Sequence, residues 1–103
     1  METYIPYTPT HPGELLKDEL QARNITQKKF AELIGIPYTM LNDIVNCRRP
    51  ISADVALLIE AALGTSADVF VNLQMRYNLL TARKDTKNIK RLEAVRKLCA
   101  SIL

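Results

Sequence analysis

Residues 26–49, TQKKFAELIGIPYTMLNDIVNCRR, read as two short helices joined by a tight turn. Phe30, Ala31 and Leu33 in the first helix, and Leu41, Ile44 and Val45 in the second, put an apolar set on one face of each. Gly35 stands between them, where a left-handed backbone is best tolerated by a residue without a Cβ. The small side chain of Ala31 lets the second helix cross the first closely. Few residues on the rest of the second helix are ones a core would need.

Outward from this stretch the chain continues as helices. His11-Pro12-Gly13-Glu14 is a helix start: Pro12 suits the first helical position, and Glu14 can bond back to a free backbone N–H. The helix it opens runs to about residue 23, with Leu15, Leu16 and Leu20 as its buried stripe. Thr26 caps a second helix over residues 27–34, and a third covers about 37–46. A fourth begins after Ser52 and ends at Gly64, with Val55, Leu58, Ile59 and Ala62 as its stripe. Ser66 caps a fifth over about 67–83, with Asp68 in its first turn. Phe70, Leu73, Tyr77 and Leu80 share one face of it, while Val69, Val71, Met75 and Leu79 leave apolar groups on others. A helix apolar on several sides is either deeply buried or shared with a partner, and in so small a domain sharing is expected.

Residues 84–88 interrupt the pattern. Ile89, Leu92, Val95, Leu98, Cys99 and Ile102 then recur at helical steps among Lys87, Lys90, Arg91, Arg96 and Lys97. This predicts a basic amphipathic helix of about fourteen residues, too short to be stable alone, so it must dock on its own domain, a twin subunit or another partner. The expected fold class is therefore all-α. A five-helix domain spans residues 11–83, an extended Pro-containing lead-in spans 1–10, and the separate basic helix spans 84–103.

The chain has 103 residues, 48% of them hydrophobic, enough for one compact domain with a core that needs neither disulfide nor metal. Two unclustered thiols, Cys47 and Cys99, fit a reducing cytoplasm. No signal peptide or membrane span is expected. No phosphate-binding glycine loop, metal-ligand spacing or cofactor motif is visible, and each of Gly13, Gly35 and Gly64 can be explained as helix punctuation. His11, the only histidine, has no Ser or Cys beside it, so it reads as a cap or surface group and the chain as a non-enzyme.

The net charge of +3 is unevenly spread. Residues 1–75 carry six Lys/Arg against nine Asp/Glu, a balance of −3, and residues 76–103 carry eight against two, a balance of +6. Attraction of the first part to a polyanion must therefore come from local groups, chiefly Lys28, Lys29, Arg48 and Arg49. Two helices around a tight turn, the second with a polar outer face, have the anatomy of a helix-turn-helix that reads DNA. On that reading Tyr38, Thr39, Asn42 and Asp43 reach base edges. Gln27, Lys28, Asn46, Arg48 and Arg49 hold phosphates. It is their co-location on one face that carries the reading.

The stretch TQKKFAELIGIPYTMLNDIVNCRRPIS resembles the lambda-repressor-like (XRE) helix-turn-helix family. Together with HPGELLKDEL from residue 11 and RRPISADVALLIEAALGTSADVFVNLQMRYNL from residue 48, it is similar to the HigA-type antitoxins, over about residues 11–83. The resemblance implies a dimer that binds a palindromic operator, represses its own toxin–antitoxin operon and neutralises a small, basic, RelE-like mRNA-cleaving toxin. It places Gln27, Tyr38, Thr39, Asn42, Asp43 and Arg48 toward DNA. It also places the fifth helix, with Val69, Leu73, Met75, Tyr77 and Leu79, at the dimer interface. The sequence departs from the family where Cys47 replaces a common Gly and Pro37 a common Ser or Thr. Arg is common in the family at the positions of Tyr38 or Asp43. With Cys47 there, the chain must either turn left-handed at Asn46 or carry strain. The alternatives are a free-standing regulator without a toxin, and an interaction protein whose helix-turn-helix no longer binds DNA.

Overall fold

The computed structural model describes residues 10–103, so the lead-in, apart from Thr10, lies outside the described residues. Six helices follow in order: α1 (Pro12–Ala22), α2 (Gln27–Ile34), α3 (Tyr38–Val45), α4 (Ala53–Leu63), α5 (Ala67–Lys84) and α6 (Thr86–Ile102). Among the described residues there is no strand. The all-α class and the five-helix body with an added C-terminal helix are as expected.

The punctuation residues set the boundaries. The hydroxyls of Thr26, Ser52 and Ser66 accept from the N–H of Lys29, Val55 and Asp68, at 3.1, 3.2 and 3.2 Å. Gly35 (φ 74°) and Gly64 (φ 78°) close α2 and α4 in the left-handed region, which a residue without a Cβ enters without strain. Gly13 does something different. It is helical and buried, and a Cβ on it would collide with the Ile44 carbonyl, so its smallness lets α1 lie against α3.

The five helices of the body close around Leu16, Leu20, Phe30, Leu41, Ile44, Ile59 and Phe70, all 2% exposed or less. Burying side chains of this size contributes about 1.5–3 kcal/mol each, which orders helices too short to persist alone. Two predicted stripes are rotated. On α2, Ile34 faces the core and Leu33 is 61% exposed. On α4, Val55 and Ile59 are buried as expected, but Ala56 and Leu63 join them in place of Leu58 and Ala62. The reason is shared: a helix with apolar residues on several sides has no unique inward face until its neighbours are placed.

The break at residues 84–88 contracts to one residue. Asp85 ends α5 and caps α6, its Oδ1 accepting from the Lys87 N–H at 2.8 Å, while Asn88 Nδ2 donates to the Ala82 carbonyl at 3.0 Å. The polar residues that read as a loop are the corner's hydrogen-bonding groups, so α6 starts earlier than its apolar repeat and runs for 17 residues. It packs against α5 and buries none of its residues. The radius of gyration is 17.6 Å, against about 13 Å for a compact chain of this size.

Candidate nucleic-acid interface

The start of α2 and the outer face of α3 enclose a shallow groove of about 620 Å³ lined by Thr26, Gln27, Lys28, Tyr38 and Asn42. Four residues expected from the sequence to contact DNA thus meet around one concavity, although Gln27 and Asn42 are fifteen positions apart. Asn42 Nδ2 donates to Gln27 Oε1 at 3.0 Å, which ties the recognition helix to the first turn of α2. Arg48, in the loop after α3, donates through Nη2 to Asn42 Oδ1 at 3.2 Å. Its Nε and Nη2 both reach Asp43 Oδ1 at 3.3 Å, forming an ion pair at the edge of this face. Thr39 and Lys28 are exposed, as is Tyr38.

Asn42 is therefore held by one donor and one acceptor. A side-chain amide has two N–H bonds and two lone pairs. Among the described residues one of each has no partner, and a donor with an acceptor is what adenine N7 and N6 take. Asp43 is half-buried and engaged with Arg48, so its carboxylate acts first on that guanidinium. Asn46 is exposed, but its Nδ2 donates to the Asn42 carbonyl at 2.8 Å, so its amide closes the end of α3.

The left-handed residue after α3 is Cys47 (φ 63°), while Asn46 stays at φ −96°. The strained alternative is the one realised. A non-Gly residue here costs about 1–2 kcal/mol. Burial pushes the Cys47 thiol up, with the Glu14 carboxylate adding and Lys17 opposing, so it stays protonated at neutral pH. Arg48 and Arg49 also border a smaller cleft of about 200 Å³ facing α5, with His11, Gln74, Tyr77 and Asn78 on its other wall.

The five residues assigned to a dimer interface do not form one face. Val69, Leu73 and Tyr77 follow one i, i+4 row, and Met75 and Leu79 another, about 200° away across the step from Leu73 to Met75. Met75 is 65% exposed and Leu79 52%, whereas Leu73 and Tyr77 are half-buried. The Tyr77 ring meets the His11 imidazole edge-on, centroids 4.8 Å apart. His11 is buried rather than a surface group, its Nδ1 accepting from the Gly13 N–H at 2.9 Å.

Sequence reasoning missed Gln74. It is 6% exposed, accepts from the Ile51 N–H at 2.8 Å and donates to Asn78 Oδ1 at 2.9 Å. The available signal was a polar side chain four residues after Phe70, on the stripe that faces the core. It also missed Glu60, whose Oε2 accepts from the Ala67 N–H and holds α5 to α4 at 2.9 Å. Among the described residues no group of three or more His, Cys, Asp or Glu is placed to hold a metal ion, and no helix is long and apolar enough to cross a membrane.

A family model described as helix-turn-helix matches residues 16–70, from within α1 to the first turn of α5. Antitoxin HigA-1 of Vibrio cholerae is 33% identical over 87 residues, covering 84% of this chain and 78% of that protein. The chain belongs to the HigA-type helix-turn-helix family. Virulence-associated protein I of Dichelobacter nodosus is 32% identical over 80 residues, covering 77% of this chain and 74% of that one. Among solved structures, the family likeness extends to antitoxin HigA of Pseudomonas aeruginosa with the higBA promoter. That match has a TM-score of 0.75 and 39% identity, covering 84% of this chain and 92% of that one.

Proposed function

We propose that this chain is the antitoxin of a toxin–antitoxin pair: a cytoplasmic, DNA-binding homodimer that represses its own operon and neutralises a small, basic, RelE-like mRNA-cleaving toxin. The observation that carries the DNA reading is the convergence of Gln27, Lys28, Tyr38 and Asn42 on one groove, with Arg48 held at its edge. The Pseudomonas aeruginosa relative with its promoter supports the same use of this fold.

In this reading Tyr38, Thr39 and Asn42 meet base edges. Asp43 either accepts from a cytosine amino group or releases Arg48 to a phosphate. Lys28, Arg48 and Arg49 neutralise phosphates, and Gln27 and Asn46 add neutral contacts while holding α3 in register. The second protomer uses the apolar rows of α5, with exposed Val69 and half-buried Leu73 and Tyr77 on one side and exposed Met75 and Leu79 on the other. The acidic balance of residues 1–75 suits a basic toxin, and the helix over 84–103 is a separate unit of the same assembly.

Titration of the chain's own promoter in a gel-shift assay tests the interface. Asn42→Ala is expected to cost about 1–3 kcal/mol of operator binding and to relax preference at one base pair. Arg48→Ala is expected to weaken all sequences alike and to lower the salt slope by about 1. Unchanged affinity in both variants rules out this face. Co-expression with the adjacent reading frame tests the toxin: a stable complex with a small basic protein is expected, and its absence favours a free-standing regulator.

A further inference from the structure

The loop over residues 46–52 carries Arg48 and Arg49 and is held at both ends, in different ways. At its start, the Cys47 and Arg48 N–H groups bond to the carbonyls of Ile44 and Asp43 at 3.0 and 2.8 Å, with Cys47 in the left-handed region. Strain of this kind persists only where the surrounding structure over-determines the backbone. At its far end, Pro50 has no N–H, and Ile51 is buried with a donor that water does not reach. Gln74 Oε1 accepts that donor, and Gln74 Nε2 donates to Asn78 Oδ1, which fixes the orientation of the amide. A glutamine from the middle of α5, which lines the same cleft as Arg48 and Arg49, thereby ties α5 to the arginine loop.

We propose that Gln74 is a positioning residue for DNA binding: by holding Ile51 it fixes the loop that aims Arg48 and Arg49, and so makes α5 and the phosphate-contacting loop one unit. This rests on the DNA reading of the loop given above. It gives a buried polar side chain a role that a packing residue would fill with an apolar group. It also means that any partner seated on α5 beside Gln74 acts on the arginine loop through this bond.

The test uses the full-length chain and three variants. Gln74→Leu keeps the volume and removes both hydrogen bonds. Gln74→Glu keeps the acceptor for Ile51. Asn78→Leu lies on the exposed side and removes only the orienting partner, so it carries the test if Gln74→Leu does not fold by circular dichroism. Two measurements are made: amide exchange of Arg48, Arg49 and Ile51 in the free protein, and the salt dependence of promoter binding. Gln74→Leu is expected to speed loop exchange while α2 and α3 keep their protection. It is also expected to bind the promoter about tenfold more weakly, with a salt slope lower by about 1–2, one for each arginine no longer aimed at a phosphate. Gln74→Glu is expected to slow loop exchange back toward that of the unmodified chain, which a general loss of stability does not predict, while its added charge beside Arg48 and Arg49 keeps promoter binding weak. Asn78→Leu is expected to shift both measurements in the direction of Gln74→Leu, by less. Unchanged affinity and slope in Gln74→Leu, or no recovery of loop exchange in Gln74→Glu, overturns the inference. If the unmodified chain does not bind its promoter, the DNA reading falls instead. The role in DNA binding falls with it, and loop exchange then decides only whether Gln74 holds the loop: faster exchange in Gln74→Leu shows that it does, and unchanged exchange overturns that as well.

Discussion

Two residues near the start of α1 and the end of α3 bear local costs that substitution can measure. Cys47 holds φ 63° without the freedom of glycine. Cys47→Gly removes the left-handed penalty but adds unfolded-state entropy and loses a half-buried side chain, for a net gain of about 0.5 kcal/mol. In a domain of this size that is a rise in melting temperature of about 2–4 °C, readable by thermal denaturation. His11 caps α1 through an unprotonated Nδ1 that accepts from Gly13. Burial holds its pKa below the ordinary 6.5, partly offset by the Glu14 carboxylate. The unfolded chain therefore takes up this proton more readily than the folded one. The stability that His11 contributes is complete above pH 6.5 and is lost as the pH falls from there through the lowered folded value. Melting curves between pH 7.5 and 5 are expected to show this loss. His11→Asn, which keeps a capping acceptor and does not titrate, is expected to flatten it.

Among the elements, α3 and α6 stand at opposite extremes. α3 has only eight residues, and Pro37 gives it no side-chain cap. It is held instead by Leu41, Ile44 and Val45 in the core, by the Asn42–Gln27 bond, and by α1 packed against it at Gly13. Tertiary contacts thus supply what local signals do not, and they leave its outer face polar and free. α6 has a sound cap at Asp85 and seventeen residues, yet it gives the core nothing. A chain ended after Asp85 is expected to keep the melting temperature of the body to within about 4 °C at low protein concentration, the equivalent of under about 1 kcal/mol. A much larger drop there means that the packing of α6 on α5 stabilises the body of its own chain. A difference that grows with concentration measures what α6 adds by association.

At the scale of the molecule, apolar surface is left uncovered along α5 and α6: Met75, Leu79, Leu92, Val95, Leu98 and Ile102 are all exposed. Met75 and Leu79 contribute nothing to the core, so changing both to Glu is expected to leave helix content unaltered. In the proposed dimer it replaces buried apolar contacts with charges. Sedimentation is expected to show a shift toward monomer, and a dimer of undiminished strength would remove this row from the interface. Charge is arranged on the same scale. The +6 of the last quarter lies on the end of α5 and on α6, while around the groove of α2 and α3 positive charge is limited to a few named side chains.

The local signals in this sequence determined its elements. Thr26, Ser52 and Ser66 cap where they were expected to, and Gly35 and Gly64 end helices because no other residue turns left-handed so readily. The helix-turn-helix was legible because its spacing and turn residues are short-range. Tertiary structure decided the rest, since it depends on which faces meet. It chose Ile34 over Leu33 and Ala56 over Leu58, and it made Gly13 a contact with α3. The stretch at residues 26–49 keeps its two helices, but the group on its outer face is now a network running from Gln27 through Asn42 to Arg48 and Asp43. Its supporting residue, Gln74, comes from α5. A backbone N–H and a side-chain oxygen twenty-three positions apart share a hydrogen bond only once the helices have packed, and no local pattern records it.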